Sequence, residues 1–222
     1  MVFDDSELRE YYNRRAQEFD SIYHRDDPVR QAEQAQIADE IRESFADRRV
    51  LEVASGTGFW TAYLAEVARQ VIAIDSSTEM IEIARQRKFV REVVEYRKLD
   101  AYQLDLLDET FDGGVVNFWI SHVPKSGLLE FLKGFHSKLE PGSSVLAVDS
   151  VYIPEFSGEL VRKENKPDTY VNRRLSDDSR HLVLKNYYNA DDLEDIFSPW
   201  ADDLNIRIGD CFWIAQYRTK HV

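Results

Sequence analysis

The sequence predicts one α/β domain with a doubly wound, mostly parallel sheet, helices on both faces and an antiparallel hairpin at the C-terminus. Three observations support this fold class. Short apolar runs alternate with helical stretches over residues 48–149, which is typical of βαβ units. A glycine-rich turn joins the first of these runs to a helix. Two β-rich runs end the chain, separated only by Gly209-Asp210, a pair that favours antiparallel pairing.

Composition limits the classes of function. The chain has 222 residues, with 28 Lys and Arg against 41 Asp and Glu, so its formal net charge is −13. Such a surface repels phosphate backbones, which argues against a nucleic-acid partner. No apolar run approaches the roughly 20 residues that span a bilayer, and the N-terminus lacks a signal-peptide pattern. With one cysteine, the sequence favours a cytoplasmic protein without a membrane partner.

The first 47 residues predict a helical lid. Apolar side chains recur at three-to-four spacing on a first helix, from Leu8 to Phe19. Pro28 suits the first turn of a second helix over 28–46.

Residues 48–149 predict the core of the fold. The expected strands are 50–54, 71–75, 93–99, 115–119 and 145–149, and the expected helices are 59–69, 78–88 and 126–139. Gly113-Gly114 predicts a turn before the fourth strand, and Pro141-Gly142 predicts the end of the last helix.

Residues 150–222 predict a segment that covers the substrate, followed by the rest of the same sheet. A polar stretch leads to a strand-like run at 181–187, a short helix near 190–197, and the two final runs at 204–208 and 211–217.

The chemistry points first to the glycine turn after the first strand. Gly56 and Gly58 let the backbone approach a ligand closely. A dinucleotide site has Gly or Ala three residues after the last of these glycines, where this chain has Thr61. The acidic Glu52 before the turn favours a cationic ligand over a pyrophosphate.

Two further acids follow the next two strands. Asp75 is placed to accept hydrogen bonds from ribose hydroxyls, and Asp100 to accept one from an adenine amino group. Either residue alone is compatible with a helix cap or a solvated turn. Together with Glu52 they end three successive strands at the carboxyl edge, where open α/β sheets bind ligands.

This ordered set resembles the class I S-adenosylmethionine-dependent methyltransferases of the small-molecule type, with a Rossmann-like core over residues 48–149. In their first motif, acid-x-Gly-x-Gly-x-Gly, Ala54 replaces the first glycine here. Phe111–Phe118 resembles the fourth-strand motif beside the methionine part of the cofactor, and Leu139–Ser143 the turn into the fifth strand. The resemblance implies S-adenosylmethionine as cofactor and these cofactor-binding residues: Glu52, Ala54, Ser55, Gly56, Gly58, Trp60, Asp75, Ser76, Met80, Asp100, Ala101, Asn117 and Phe118.

The candidate catalytic residue is His122, just beyond the fourth strand, as the base for an acceptor that carries a proton. The alternative is an imidazole that anchors its loop. We expect no metal ligands. The candidate substrate-binding residues, from the lid, the fourth strand's end and the insertion, are Tyr11, Tyr12, Trp119, Arg173 and Arg174.

The insertion also suggests the charge of the acceptor. Residues 152–185 hold seven basic and six acidic side chains, so this stretch is close to neutral in an acidic chain. That reversal favours an acceptor with an anionic group, although a solvated face explains it as well.

The sequence therefore predicts methyl transfer to a small molecule. Two alternatives stay open: a non-catalytic module that keeps the fold and interacts with a protein, and a nucleotide-dependent oxidoreductase. The sequence does not indicate which atom receives the methyl group, or the oligomeric state.

Overall fold

The computed structural model describes residues 6–89 and 91–220 of the chain. In this part seven strands form the main sheet: β1 (Arg49–Val53), β2 (Gln70–Asp75), β3 (Val94–Lys98), β4 (Phe111–Asn117), β5 (Leu139–Ser150), β9 (Ala201–Ile208) and β10 (Phe212–Thr219). Their order in the sheet is β3-β2-β1-β4-β5-β10-β9.

The pairing of the strands confirms the predicted fold class. β3, β2, β1, β4 and β5 run parallel to one another, with Val50 opposite both Val71 of β2 and Gly113 of β4. β10 then pairs antiparallel with β5 on one side and with β9 on the other. The Gly209-Asp210 turn therefore closes the hairpin that its sequence predicts.

Helices cover both faces of the sheet. Alternate strand residues point to opposite faces, so Val50 lies in one apolar cluster and Leu51 in the other. The helices are α1 (Ser6–Arg15), α2 (Pro28–Phe45), α3 (Thr61–Val67), α4 (Thr78–Ala84), α5 (Leu128–His136), α6 (Pro154–Ser157) and α7 (Ala190–Phe197). α2 and α3 pack on the face that contains Val50, and α5 and α7 pack on the other. No helix in the described ranges is long and apolar enough to cross a membrane.

Local signals fix where two of these helices begin. The carboxylate of Asp27 accepts the backbone N–H of Arg30 at 3.1 Å, and Pro28 occupies the first turn of α2. At α7, Asn189 and Asp192 form a reciprocal capping box. α2 packs directly against the main sheet, and its residues Ile37, Ile41 and Phe45 are fully buried.

The prediction of a turn at Gly113-Gly114 is wrong, because both residues lie inside β4. A Cβ at Gly113 would meet the Phe45 ring at 2.9 Å, and one at Gly114 would meet the Phe135 ring at 2.6 Å. The two glycines therefore let an aromatic ring from each helical layer approach the central strands. The local preference of Gly-Gly for a turn is overridden here by the packing of these rings against β4. That packing cannot be read from a single sequence.

The predicted helix 126–139 is also too long. α5 ends at His136, and Leu139 begins β5, so Pro141-Gly142 lies within a strand. The register shifts there: Phe111 is opposite Leu139, but Gly113 is opposite Ser144. The Pro-Gly pair occupies this irregularity, where one strand holds extra residues that need no ladder hydrogen bonds.

A second, antiparallel sheet lies outside the main one and was predicted only in its last strand. It consists of β6 (Leu160–Arg162), β7 (Thr169–Arg174) and β8 (Arg180–Leu184). α1 packs on it through a separate apolar cluster that contains Tyr11, Val171 and Val183. We call α1, the 3₁₀ segment Ala16–Ile22 and this small sheet the cover.

Candidate active site

A cavity of about 580 Å³ lies between the carboxyl edge of the parallel strands and the cover, within the usual range for small-molecule sites. It brings together sequence-predicted residues from all parts of the chain. Those that line it are Tyr11, Tyr12, Glu52, Ala54, Ser55, Gly56, Trp60, Asp75, Ser76, Met80, Asp100, Ala101, Asn117, Phe118, Trp119, His122, Arg173 and Arg174.

Gly58 is the predicted site residue that does not line this cavity. A Cβ at this position would meet the Tyr96 hydroxyl at 2.5 Å and Ala84 at 3.2 Å. Gly58 therefore lets the turn pack closely against α4 and β3. The prediction that it contacts the cofactor has no support from its position.

The turn after β1 has a strained backbone at the cavity wall. Ala54 has φ +55° and Gly56 has φ +57°, a region that favours glycine. Ala54 is the residue that replaces the first glycine of the motif. The Gly56 N–H donates to the Asp75 carboxylate at 2.8 Å, which ties the turn to the end of β2.

Asp75 is held in place by two backbone groups. One carboxylate oxygen accepts the Gly56 N–H and the other accepts the Ser77 N–H at 2.8 Å. Each oxygen keeps a second acceptor position for a ligand hydroxyl. Burial raises the pKa of Asp75, and the backbone donors act against that shift.

Glu52 is a carboxylic acid buried beneath the same turn. Its side chain accepts the Thr61 hydroxyl at 2.6 Å, and the residue is 2% exposed. Burial raises the pKa of Glu52 to about 8, with a further contribution from the charge of Asp75. A cation bound beside it would favour the ionised form.

Asp100 meets the cover directly. Its carboxylate accepts the Tyr102 N–H at 2.9 Å and lies 3.4 Å from the guanidinium of Arg9 in α1. α1 therefore reaches across the end of β3 to the acid that the sequence assigns to adenine.

Several polar atoms at the cavity wall have no partner within the described part of the protein. They are the Ser55 hydroxyl, both side-chain atoms of Asn117 and the indole N–H of Trp119. Buried donors and acceptors of this kind cost free energy unless a ligand or water satisfies them. Together with two carboxylates, this set of donors and acceptors fits a ligand with hydroxyl, amino and cationic groups, as S-adenosylmethionine has.

His122 is connected to the cover by a chain of hydrogen bonds. Its Nδ1 lies 2.7 Å from the Leu184 carbonyl oxygen, so Nδ1 must carry the hydrogen. Its Nε2 then accepts the hydroxyl of Tyr12 at 2.7 Å. Burial and the positive charge of Lys185 lower the pKa of His122 to about 3, so the imidazole is neutral.

A buried ion pair lies beside this histidine. The Lys185 ammonium donates to Asp149 at 2.8 Å and to the Ser121 hydroxyl at 2.6 Å. Burial raises the pKa of Asp149, yet the adjacent Lys185 brings it below its usual value. Burial lowers the pKa of Lys185, and Asp149 opposes that shift. The pair joins the end of β5 to the end of β8.

Side-chain contacts also connect the cover to the glycine turn. Asp20 contacts the Thr57 hydroxyl and the Arg87 guanidinium, and Arg87 donates to the Thr57 carbonyl at 2.6 Å. Tyr23 follows and stacks on Phe59 with ring centroids 3.8 Å apart. These contacts hold the segment 16–23 over the cavity.

Sequence reasoning did not select some residues that line or close the cavity: Arg9, Arg15, Asp20, Tyr23, Arg25, Arg30 and Lys185. The basic residues were visible in the sequence as charges, Lys185 among those that suggested an anionic acceptor. No spacing rule singles them out, because they come from separate elements that only the folded chain brings together.

Comparisons with known proteins agree with this geometry. A family model described as "Methyltransferase domain" matches residues 50–142. A demethylmenaquinone methyltransferase from Clavibacter sepedonicus is 30% identical over 159 residues, which are 71% of this chain and 61% of that protein. An uncharacterized methyltransferase from Staphylococcus carnosus (strain TM300) is 29% identical over 175 residues, which are 78% of this chain and 79% of that protein.

A solved structure described as "DhpI-SAM-HEP complex" has a TM-score of 0.78 and 26% sequence identity, and the match covers 97% of this chain and 99% of that one. Fold and site together define a Rossmann-like protein with a cavity at the carboxyl edge of its sheet. In its fold, its motifs and these matches the chain is similar to the class I S-adenosylmethionine-dependent methyltransferases, as its sequence predicts. The match spans less than two thirds of the Clavibacter relative, at 61% of its length.

Proposed function

We propose that this protein transfers the methyl group of S-adenosylmethionine to a small acceptor that carries an anionic group. The observation that carries the proposal is the single cavity, which runs from the motif residues Glu52, Gly56 and Asp75 to Tyr12 and Arg173 of the cover. Cofactor and acceptor can therefore lie side by side in one continuous cavity, as methyl transfer requires.

When bound, S-adenosylmethionine supplies a methyl group on a positively charged sulfur. The residues of the β1–β2 edge are arranged to hold it: Asp75 has free acceptor positions for hydroxyl groups, and Glu52 offers a carboxylate to a cation. The unpartnered amide of Asn117 adds a donor and an acceptor. In this proposal these residues would hold the cofactor at the carboxyl edge of the sheet, and the cover would face the acceptor.

Tyr12 and His122 serve the acceptor side in this proposal. The Tyr12 hydroxyl donates to His122 and keeps its lone pairs for a donor on the acceptor. His122 is already engaged on both nitrogens, so it acts on the acceptor through Tyr12. This makes Tyr12 the contacting group and His122 its positioning residue.

The geometry supports this function over the alternatives. A non-catalytic module has no need of a channel from the cofactor motif to a second pocket, whereas here the two are continuous. An oxidoreductase with further parallel units is disfavoured by the antiparallel β9–β10 hairpin. A demethylmenaquinone-type acceptor is apolar over much of its surface, but the cover side of this cavity presents arginines such as Arg15 and Arg173.

Calorimetry and a transfer assay test the proposal. We expect S-adenosylmethionine to bind and NAD not to bind, and we expect methyl-labelled cofactor to label small anionic metabolites in an extract. Binding of NAD without S-adenosylmethionine would contradict the family's cofactor for this chain. Cofactor binding without any labelled product would favour the non-catalytic module.

The role of the Tyr12–His122 pair is tested by Tyr12→Phe, His122→Asn and the double variant. We expect each to lower turnover without changing cofactor affinity, and the double variant to lose no more than one single variant, because the two residues act as one unit. His136→Asn is the matched control, since His136 also bonds a backbone carbonyl through Nδ1 and a tyrosine, Tyr217, through Nε2, outside the cavity lining. Additive losses would contradict the coupling.

A further inference from the structure

Four arginines from two distant parts of the chain line the cavity close together, since the charges of Arg15, Arg30 and Arg173 all act on Arg25. Arg15 ends α1, Arg25 lies in the connection to α2, Arg30 is in the first turn of α2, and Arg173 is in β7. All four line the cavity, and Arg25 is exposed at its mouth. We call these residues the arginine cluster.

The other three guanidinium groups are close enough to repel that of Arg25. Burial lowers the pKa of Arg25, and the charges of Arg30, Arg15 and Arg173 lower it further. Asp27 is the acid that opposes this shift. A cluster of like charges at a partly buried site is unfavourable unless an anion shares it.

The protein's own carboxylates leave this cluster uncompensated. Within the described residues, none of its four members forms an ion pair, whereas Arg42, Arg97 and Arg207 each do. The Asp27 carboxylate is used as the cap of α2, and the Nε of Arg30 is buried without a partner.

The remaining charges around the cluster do not change this balance. Glu18 also lines the cavity, and its carboxylate accepts the Ser176 N–H at 3.4 Å. Lys185, which also lines the cavity, is already matched by Asp149. The net charge that faces this end of the cavity is therefore positive, in a chain whose formal charge is −13.

We propose that the arginine cluster binds the anionic end of the acceptor, and that this end carries two negative charges. Guanidinium groups bind oxyanions through paired hydrogen bonds, and a single negative charge would leave most of the cluster unpaired. Because Arg15, Arg25 and Arg30 come from the N-terminal segment and Arg173 from the small sheet, such a ligand bridges the two. This inference rests on the proposed function, whose acceptor it describes.

The cluster also lies beside the reacting side of the cavity. The charges of Arg15 and Arg173 both act on Tyr12 and on Lys185. A dianion held there places the rest of the acceptor next to the Tyr12 hydroxyl. The cluster is thus a specificity site, separate from the cofactor residues Glu52 and Asp75.

Anion binding tests the inference without any turnover. The probes are inorganic phosphate at pH 8, malonate and acetate, titrated by calorimetry at constant ionic strength with and without saturating S-adenosylhomocysteine. We expect phosphate or malonate to bind at least tenfold more tightly than acetate. Arg30→Gln and Arg173→Gln should each weaken that binding at least tenfold and leave S-adenosylhomocysteine affinity unchanged.

Arg14→Gln is the matched control. Arg14 neighbours Arg15 on α1, lies outside the cavity lining, is half exposed and pairs with Glu10, so its loss removes the same charge without touching the site. Equal binding of dianions and acetate, or an equal effect of Arg14→Gln, would overturn the inference. A preference of phosphate over malonate, or the reverse, tells which dianionic geometry fits. If S-adenosylhomocysteine fails to bind, the proposed function fails, while the titration without it still decides the inference.

Discussion

Ala54 and Glu52 show how single residues of the first motif set the properties of the turn that lines the cavity. Ala54 takes a left-handed conformation, with φ +55°, at a position where the family's motif has glycine. Glu52 lies 2% exposed below it, bonded to Thr61. Ala54 therefore has a strained backbone. Because the pKa of Glu52 is raised to about 8, its carboxyl group keeps a proton at neutral pH, where a glutamate in water is ionised.

We expect Ala54→Gly to stabilise the protein. The left-handed conformation costs an L-residue roughly 1–2 kcal/mol, and glycine's larger loss of chain entropy offsets about half of that, which leaves a gain of about 0.5–1 kcal/mol. Chemical denaturation measures it. The control is Ala62→Gly inside α3, where glycine should cost about 0.5–1 kcal/mol instead. A loss of stability in Ala54→Gly would show that packing of the Ala54 methyl group stabilises the protein by more than the backbone strain costs.

We expect cofactor affinity to rise with pH up to about 8. Because the pKa of Glu52 is raised to about 8, the free protein keeps this proton at neutral pH, while a bound cation favours the carboxylate. The association constant should therefore rise by up to about tenfold per pH unit below pH 8 and level off above it. Calorimetry in buffers of different ionisation enthalpy should detect proton release. Glu52→Gln should remove the pH dependence, and the same slope in this variant would contradict the assignment.

At the scale of elements, the small sheet is attached to the core by buried polar contacts. Lys185 follows β8 and joins Asp149 in β5 and Ser121 after β4. Next to it, Asn186 accepts the Thr169 N–H at 3.0 Å and donates to the Asp168 carboxylate at 3.0 Å. The ends of β4, β5 and β8 are thereby fixed relative to one another around Tyr12 and the cavity.

We expect Lys185→Met to destabilise the protein by about 3–5 kcal/mol, because it leaves the Asp149 carboxylate buried without its counter-charge. Adding Asp149→Asn should restore a large part of that loss. Thermal or urea unfolding gives both values. The surface variant Lys166→Met is the matched control, since Lys166 is exposed. Equal losses in the single and double variants would mean that packing of the lysine stem is the main contribution.

For the whole molecule, access to the cavity depends on the cover. Residues 6–22 lie over the sheet edge, and Asp20 fastens them to Thr57 and Arg87 beside the glycine turn. α2, in contrast, packs firmly on the sheet through Ile37 and Ile41. Residues 6–47 thus contain two structural parts, and the boundary of a lid at residue 47 stays a prediction.

We expect Asp20→Asn to speed both binding and release of the cofactor. This half-exposed ion pair and its hydrogen bonds contribute about 1 kcal/mol to closure, which corresponds to roughly fivefold in the opening rate. Stopped-flow fluorescence, with the tryptophans of the cavity wall as reporters, measures the rates. Asp26→Asn, at an exposed aspartate outside the cavity lining, should leave them unchanged. Unchanged rates in Asp20→Asn would place the slow step elsewhere.

The parallel order of the core, the terminal hairpin and the meeting of three acids at the carboxyl edge were predictable from the sequence, because each depends on local signals. Alternating apolar runs, Gly209-Asp210 and the acids at three strand ends are read from neighbouring residues. The position of Gly113-Gly114 inside β4 was not predictable from the sequence. The rings of Phe45 and Phe135, which leave room only for glycine, belong to helices that are distant in the sequence. The position of Pro141-Gly142 within β5 likewise depends on the register between β4 and β5.

The sequence by itself determined the resemblance to the methyltransferase family, the sheet and which residues meet at its carboxyl edge, because a strand–turn–helix motif positions its own side chains. Only the tertiary structure decided what faces them. It joined Tyr12 to His122, paired Lys185 with Asp149, and gathered arginines from α1, α2 and β7 around one end of a single cavity. These groups are far apart along the chain. Their charges and hydrogen bonds interact strongly only when folding brings them together and removes the water between them.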